Sequence, residues 1–152
     1  MCSLIVYNPD KYYLIQATPK EVSMSRTIQQ TVIFKASPHE VYEALMDETI
    51  HAHFTASAAS IGRAVGETFL AYDGYITGKN IELIPDQKIV QEWRAVDWKP
   101  GQTSTVTFEL NPLPEGTQLD FSHSGLPEGT EDEFTQGWID NYWEPMHRMF
   151  SG

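Results

Sequence analysis

Cys2 is the only cysteine in this chain. Without a second thiol there is no internal disulfide, and a metal centre would have to be made from histidine and carboxylate alone. A reducing, cytoplasmic setting is the expectation that follows. Positive charge is scarce as well: 10 Lys and Arg stand against 21 Asp and Glu, a formal net charge of -11. No basic cluster is left to follow a phosphate backbone, so nucleic acid is not an expected partner. Long apolar runs are missing too. The early run Leu4 to Tyr7 lacks a basic flank and is far too short for a signal core or a membrane span, so neither targeting nor membrane association is expected. The chain also lacks HExxH and paired-Cys spacings, GxSxG, a P-loop and GxGxxG, so no metal, catalytic nucleophile, nucleotide or other cofactor has a motif. His51 and His53 are two apart, which puts them on different faces of a helix or on the same face of an extended segment, and in neither geometry do they make a metal site by themselves.

What the chain does have is one strong helical signal at its end, TEDEFTQGWIDNYWEPMHRMF from Thr130 to Phe150. On a 3.6-residue wheel, Phe134, Thr135, Trp138, Ile139, Tyr142, Trp143, Met146, Met149 and Phe150 fall on one half. Glu133, Gln136, Asp140, Glu144, His147 and Arg148 fall on the other, so one face is built for burial. Thr130 with Glu133 three residues on reads as a capping box, and Glu131 and Asp132 favour the positive end of the helix dipole. Pro145 has no N–H and crowds the carbonyl of Asn141, which predicts a bend in the last third.

At 152 residues the chain is long enough for one domain with a sizeable core. Residues 1 to 26 read as an N-terminal extension, with Asn8-Pro9-Asp10-Lys11 as the turn of a small hairpin and Met24-Ser25-Arg26 as an alternative start. The domain proper spans 27 to 152. Ile28, Val32 and Phe34 mark a first strand, and Ser37-Pro38-His39-Glu40 then supplies an N-cap, a first-turn proline and a capping-box Glu for a short helix. A second helical turn is expected over Glu48 to His53. Beyond it, strand patterns over 67 to 72, 75 to 84, 88 to 96, 103 to 111 and 117 to 123 are joined by Asp-Gly, Pro-Asp, Pro-Gly and Glu-Gly turns. Short connections imply antiparallel pairing, and Val106, Phe108, Leu110, Leu119 and Phe121 alternate with polar residues as in a sheet with one dry face. The expected fold is α+β, a curved antiparallel sheet with two short helices after the first strand and a long C-terminal helix laid across it.

Several residues also carry a family resemblance: Gly74 to Gly78 ahead of Glu82 to Pro85, Ile89 to Arg94, Asp97-Trp98, Ser104 to Phe108, His123 to Pro127, and Gly137-Trp138. Together with the order of elements, from about Thr27 to Phe150, they resemble the activator of heat-shock-protein-ninety ATPase homologue family. That family is a branch of the START and birch-pollen-allergen helix-grip superfamily. The resemblance implies a sheet gripping the C-terminal helix around an apolar cavity, and in some relatives an interaction with a chaperone. It brings no catalytic set. The family's eukaryotic co-chaperone carries a separate N-terminal chaperone-binding domain, which is not expected within 152 residues.

The candidate ligand wall is Trp93, Phe108, Phe121, His123, Trp138 and Tyr142, since ligand pockets are aromatic-lined with a few polar groups. His123 continues the dry phase of Leu119 and Phe121, so it brings a titratable group toward the space between sheet and helix. Arg94, in opposite phase to Trp93, has two readings: a clamp for an acidic ligand, or a surface ion pair. Three functions stay open. One is a module binding a small apolar molecule in the cavity. Another is a polyketide-cyclase-type enzyme in which His123 or Tyr142 shifts protons. The last is a stress-response protein binding a chaperone through its surface. Composition leaves the ligand and the oligomeric state undetermined.

Overall fold

The structure, a computed structural model, describes residues 3–7, 12–16 and 27–151. The expected turn at Asn8 to Lys11 and the alternative start at Met24 lie outside the described residues. Among the described residues nine strands form one sheet in the order β2-β1-β3-β9-β8-β7-β6-β5-β4. They are β1 (Ser3–Tyr7), β2 (Tyr12–Gln16), β3 (Thr27–Phe34), β4 (Ser60–Ile61), β5 (Thr68–Ala71), β6 (Ile76–Ile84), β7 (Lys88–Ala95), β8 (Ser104–Leu113) and β9 (Gly116–Ser124). From β3 through β4 every pairing is antiparallel, as the short connections require. β1 pairs antiparallel with β2 and lies parallel to β3.

Period-two patterning is realised along the central strands. In β7, Ile89, Gln91, Trp93 and Ala95 are buried, and in β9 so are Thr117, Leu119, Phe121 and His123. A register shift between Asn80 and Glu82 interrupts the β6–β7 ladder, a bulge of the kind that bends a strand. At Gly78, opposite Trp93, the backbone comes so close to its neighbours that a Cβ would collide with the Glu92 carbonyl and the Phe69 ring. Gly78→Ala is therefore expected to cost roughly 1 to 3 kcal/mol, read as a lower melting temperature. An unchanged melting temperature would mean that the two strands separate there without penalty.

Helix α1 (Pro38–Met46) starts on the expected capping box. The Ser37 hydroxyl accepts from the Glu40 N–H, and the Glu40 carboxylate accepts from the Ser37 N–H. Asp47 caps α2 (Glu48–Thr55) through the amides of Thr49 and Ile50. The long C-terminal helix is α3 (Glu131–Trp138), a π-helical turn (Ile139–Trp143) and α4 (Glu144–Ser151) in unbroken succession. Its start differs from expectation. The Thr130 carbonyl accepts the first helical bond from Phe134, but the Thr130 hydroxyl donates back to the Pro127 carbonyl and caps nothing. The preceding turn competes for that hydroxyl and wins.

Pro145 acts through the widened turn just ahead of it. The Glu144 N–H reaches back five residues to the Ile139 carbonyl, and the Asn141 carbonyl that Pro145 cannot serve accepts from the Tyr72 hydroxyl at 3.3 Å. The apolar half of the wheel lies on the sheet: Trp138, Ile139, Tyr142, Trp143 and Met146 are buried, while Gln136, Asp140 and Arg148 are exposed. Among the described residues no helix is long and apolar enough to cross a membrane.

Candidate functional site

The space between sheet and helix is organised by three buried tryptophans, each with an acceptor for its indole N–H. Trp138 donates to Nδ1 of His123 at 3.0 Å, Trp143 to the side-chain oxygen of Gln30 at 2.7 Å, and Trp93 to that of Gln91 at 3.0 Å. Gln30 also donates to the Thr135 carbonyl, so one amide from β3 stitches the helix to the sheet at two points. Gln91 passes its own N–H to Asn80, which holds the carbonyls of Gly62 and Ala64. These glutamines were not singled out from the sequence. The available signal was a polar residue in dry phase, Gln30 between Ile28 and Val32 and Gln91 between Ile89 and Trp93.

All six residues of the expected wall come together and all are buried. Trp138 is their centre, with ring centroids 4.4 Å from Phe121, 4.5 Å from Tyr142, 4.9 Å from Trp93, 5.8 Å from His123 and 5.9 Å from Phe108. They divide into two groups. Phe108, Phe121 and His123 pack against Trp138 outside the cleft, whereas Trp93, Trp138 and Tyr142 line a cleft of about 310 Å³; Phe108 borders a much smaller void with Trp93 and Tyr142. Tyr72, Tyr75 and Phe134 complete its aromatic lining, with Ile76 and Gly137; Glu133 and Asn141 are its other polar members.

His123 has no free nitrogen. An indole N–H can only donate, so Nδ1 is the acceptor and the proton sits on Nε2, which donates to the Ser104 hydroxyl at 2.7 Å. Ser104 in turn donates to the Trp93 carbonyl at 3.4 Å. Burial depresses the imidazole pKa to about 3, so this neutral tautomer persists through the physiological range. Any titration of His123 near the ordinary value of about 6.5 is thus removed by its surroundings.

A second buried histidine lies on the other side of Tyr142. His51 Nε2 is 2.8 Å from the Tyr142 hydroxyl, and its Nδ1 has no hydrogen-bond partner. An unpartnered lone pair costs less than an unpartnered N–H, which places the proton on Nε2 and makes Tyr142 the acceptor. Burial lowers the His51 pKa to about 4 and raises that of Tyr142. The Tyr72 ring stands 6.0 Å from that of Tyr142 at the cleft, and burial likewise raises its hydroxyl pKa. His53, two residues on, is exposed, as helical geometry dictates.

Arg94 follows neither of its two readings. Its guanidinium donates to the carbonyls of Trp98, Lys99 and Gln102 and closes the turn between β7 and β8. Among the described residues no three His, Cys, Asp or Glu side chains gather as a metal centre would require.

An antiparallel sheet gripping a long C-terminal helix, with a cleft along the contact, is the architecture of a helix-grip protein. Residues 35–150 match the family "Activator of Hsp90 ATPase homolog 1-like protein", and the chain belongs to that family. It is 29% identical over 140 residues to the activator of 90 kDa heat shock protein ATPase homolog of Dictyostelium discoideum, an alignment covering 91% of this chain and 36% of that one. It is also 29% identical to the human activator homolog 1 over 125 residues, covering 82% and 36%. The chain thus spans about a third of the length of these curated relatives. The crystal structure of an HSP90 activator from Plasmodium falciparum superposes with a TM-score of 0.76 at 25% identity, covering 85% of this chain and 97% of that one.

Proposed function

We propose that the chain is a binding module that holds a small, largely apolar molecule in the cleft between β6, β7 and the C-terminal helix. The observation that carries this reading is Gly137. Glycine in the interior of a helix costs roughly 1 kcal/mol relative to alanine, so a glycine on this face calls for a reason. A Cβ there would meet nothing closer than the Asn141 amide at 3.9 Å, so the backbone leaves room for a side chain. Such a side chain would extend into the cleft that Gly137 lines. Glycine keeps that space open.

The test uses N-phenyl-1-naphthylamine, a neutral fluorescent probe, with energy transfer from Trp93 and Trp138 as the signal. Probe binding by the native chain and its loss in Gly137→Leu, at unchanged or raised melting temperature, are the expected results. Equal binding by both proteins would place the probe elsewhere and remove the support for this reading.

A second reading rests on the family itself. The curated relatives are named as activators of a 90 kDa heat-shock protein ATPase, which supports a chaperone as a partner for this domain too. Titration of the chain with such a chaperone, followed by its ATPase rate, tests it directly. If Gly137→Leu stimulates the ATPase as well as the native chain does, chaperone contact and ligand cleft are separate properties.

A further inference from the structure

We infer that the ligand of this cleft is an organic cation, an alkylammonium carried on an apolar body. The inference rests on the cleft reading above and names the charge of its occupant. Six of the lining side chains are aromatic: Tyr72, Tyr75, Trp93, Phe134, Trp138 and Tyr142. Stacked apolar bodies would be satisfied by leucine or isoleucine equally well. Aromatic rings differ in offering a negative face, to which a quaternary or alkylated ammonium is drawn within about 6 Å of the ring centre.

The charges around the cleft point the same way. Among the described residues no Lys, Arg or His lines it, and Glu133 supplies the one carboxylate. Next to that wall, the Tyr75 hydroxyl donates to Asp97 at 3.1 Å, bringing a second carboxylate to the rim. Burial first, then the hydrogen bond to Asp97 and the charges of Asp97 and Glu133, raise the Tyr75 pKa and keep its hydroxyl neutral. Burial keeps the hydroxyls of Tyr72 and Tyr142 protonated, and they add no competing anion. Glu133 stands in the first turn of α3, beside Phe134 in the lining. The net charge of -11 adds a negative long-range field that draws cations in and turns anions away. An anion entering here would lose its hydration and gain no charged partner, whereas an ammonium would exchange water for ring faces and a carboxylate.

This assignment runs against an acidic ligand, for which Arg94 was the sequence's clamp and His123 the titratable group nearest the space between sheet and helix. That imidazole lies behind Trp138 with both nitrogens bonded, and Arg94 points to the β7–β8 turn. Neither candidate for holding an anion reaches the cleft.

The experiment compares three probes of nearly equal shape: benzyltrimethylammonium, its neutral carbon isostere 2,2-dimethylpropylbenzene, and the anion benzenesulfonate. Binding is followed by tryptophan emission and by displacement of N-phenyl-1-naphthylamine. The cation is expected to bind about 3- to 30-fold more tightly than the neutral isostere, the range a cation–π contact supplies, and the sulfonate more weakly than either. Glu133→Gln should weaken the cation several-fold while leaving the neutral isostere unchanged, and added salt should weaken the cation alone. Tyr75→Leu, at an exposed rim position that the core does not need, should lower the cation's advantage without lowering the melting temperature. Equal affinity for cation and isostere, with no response to Glu133→Gln, would overturn the inference and leave an apolar pocket. Failure of all three probes and of the naphthylamine would overturn both the inference and the cleft reading beneath it.

Discussion

Trp138→Asp is expected to lower the stability of the protein by roughly 3 kcal/mol or more, the scale of a disrupted core. Trp138 is 2% exposed and touches Trp93, Phe108, Phe121, His123, Tyr142 and Trp143. Aspartate removes those ring contacts at once and puts a carboxylate where only Nδ1 of a neutral imidazole is offered. Trp138→Phe separates the two components. It keeps most of the apolar volume but leaves the His123 lone pair without its donor, a loss of about 1 to 3 kcal/mol. Urea denaturation of the three proteins at neutral pH measures both steps. A Trp138→Asp protein as stable as the native one would show that the helix does not lie on the sheet at this point.

Acid is expected to destabilise the fold through His51 and His123. Both are neutral in the folded state, with pKa values lowered by burial to about 4 and about 3. In the unfolded chain each returns to about 6.5, so below that pH the unfolded state binds protons that the folded state refuses. Their contribution to stability is complete above about pH 6.5 and falls as the pH drops toward 4. Each histidine contributes a slope near 1.4 kcal/mol per pH unit, and the pair costs about 3 to 4 kcal/mol between pH 6 and pH 4.5. The dependence of the unfolding constant on pH reports the protons taken up. His51→Gln keeps a hydrogen-bonding partner beside Tyr142 and should reduce that uptake by about one proton near pH 5. An uptake that stays the same in the variant would mean that His51 is already charged in the native protein.

Both predictions concern side chains that the sequence placed only in part. Alternation in β7, β8 and β9 and the wheel of the C-terminal helix identified the dry faces, so Trp93, Phe108, Phe121, His123, Trp138 and Tyr142 could be named together. The turn residues set the antiparallel order of the hairpins, and Ser37-Pro38 with Glu40 set the start of α1. Local reading failed where an adjoining turn offered its carbonyls to the same side chain. The Thr130 hydroxyl serves the Pro127 carbonyl instead of the helix, and Arg94 closes a turn instead of reaching an ion pair or a ligand. Pro145 was legible as a disturbance, while the form of that disturbance depended on Tyr72, 69 residues from Asn141, taking up the freed carbonyl.

The amino-acid order therefore determined by itself whatever repeats at short range: strand phase, the helix face, most caps and turns, and from these an α+β arrangement with the long helix laid across an antiparallel sheet. Only the tertiary structure decided which indole meets which acceptor, since His123 and Trp138 are 15 residues apart but Gln30 and Trp143 are 113. It alone showed which of these rings line the cleft. Phe108, Phe121 and His123 share the dry phase with Trp93, yet the rings of the helix close over the first three and leave the cleft beside the last. Periodicity records which way a side chain points. Whether its neighbours fill the space in front of it depends on the volumes that distant elements bring to the same place.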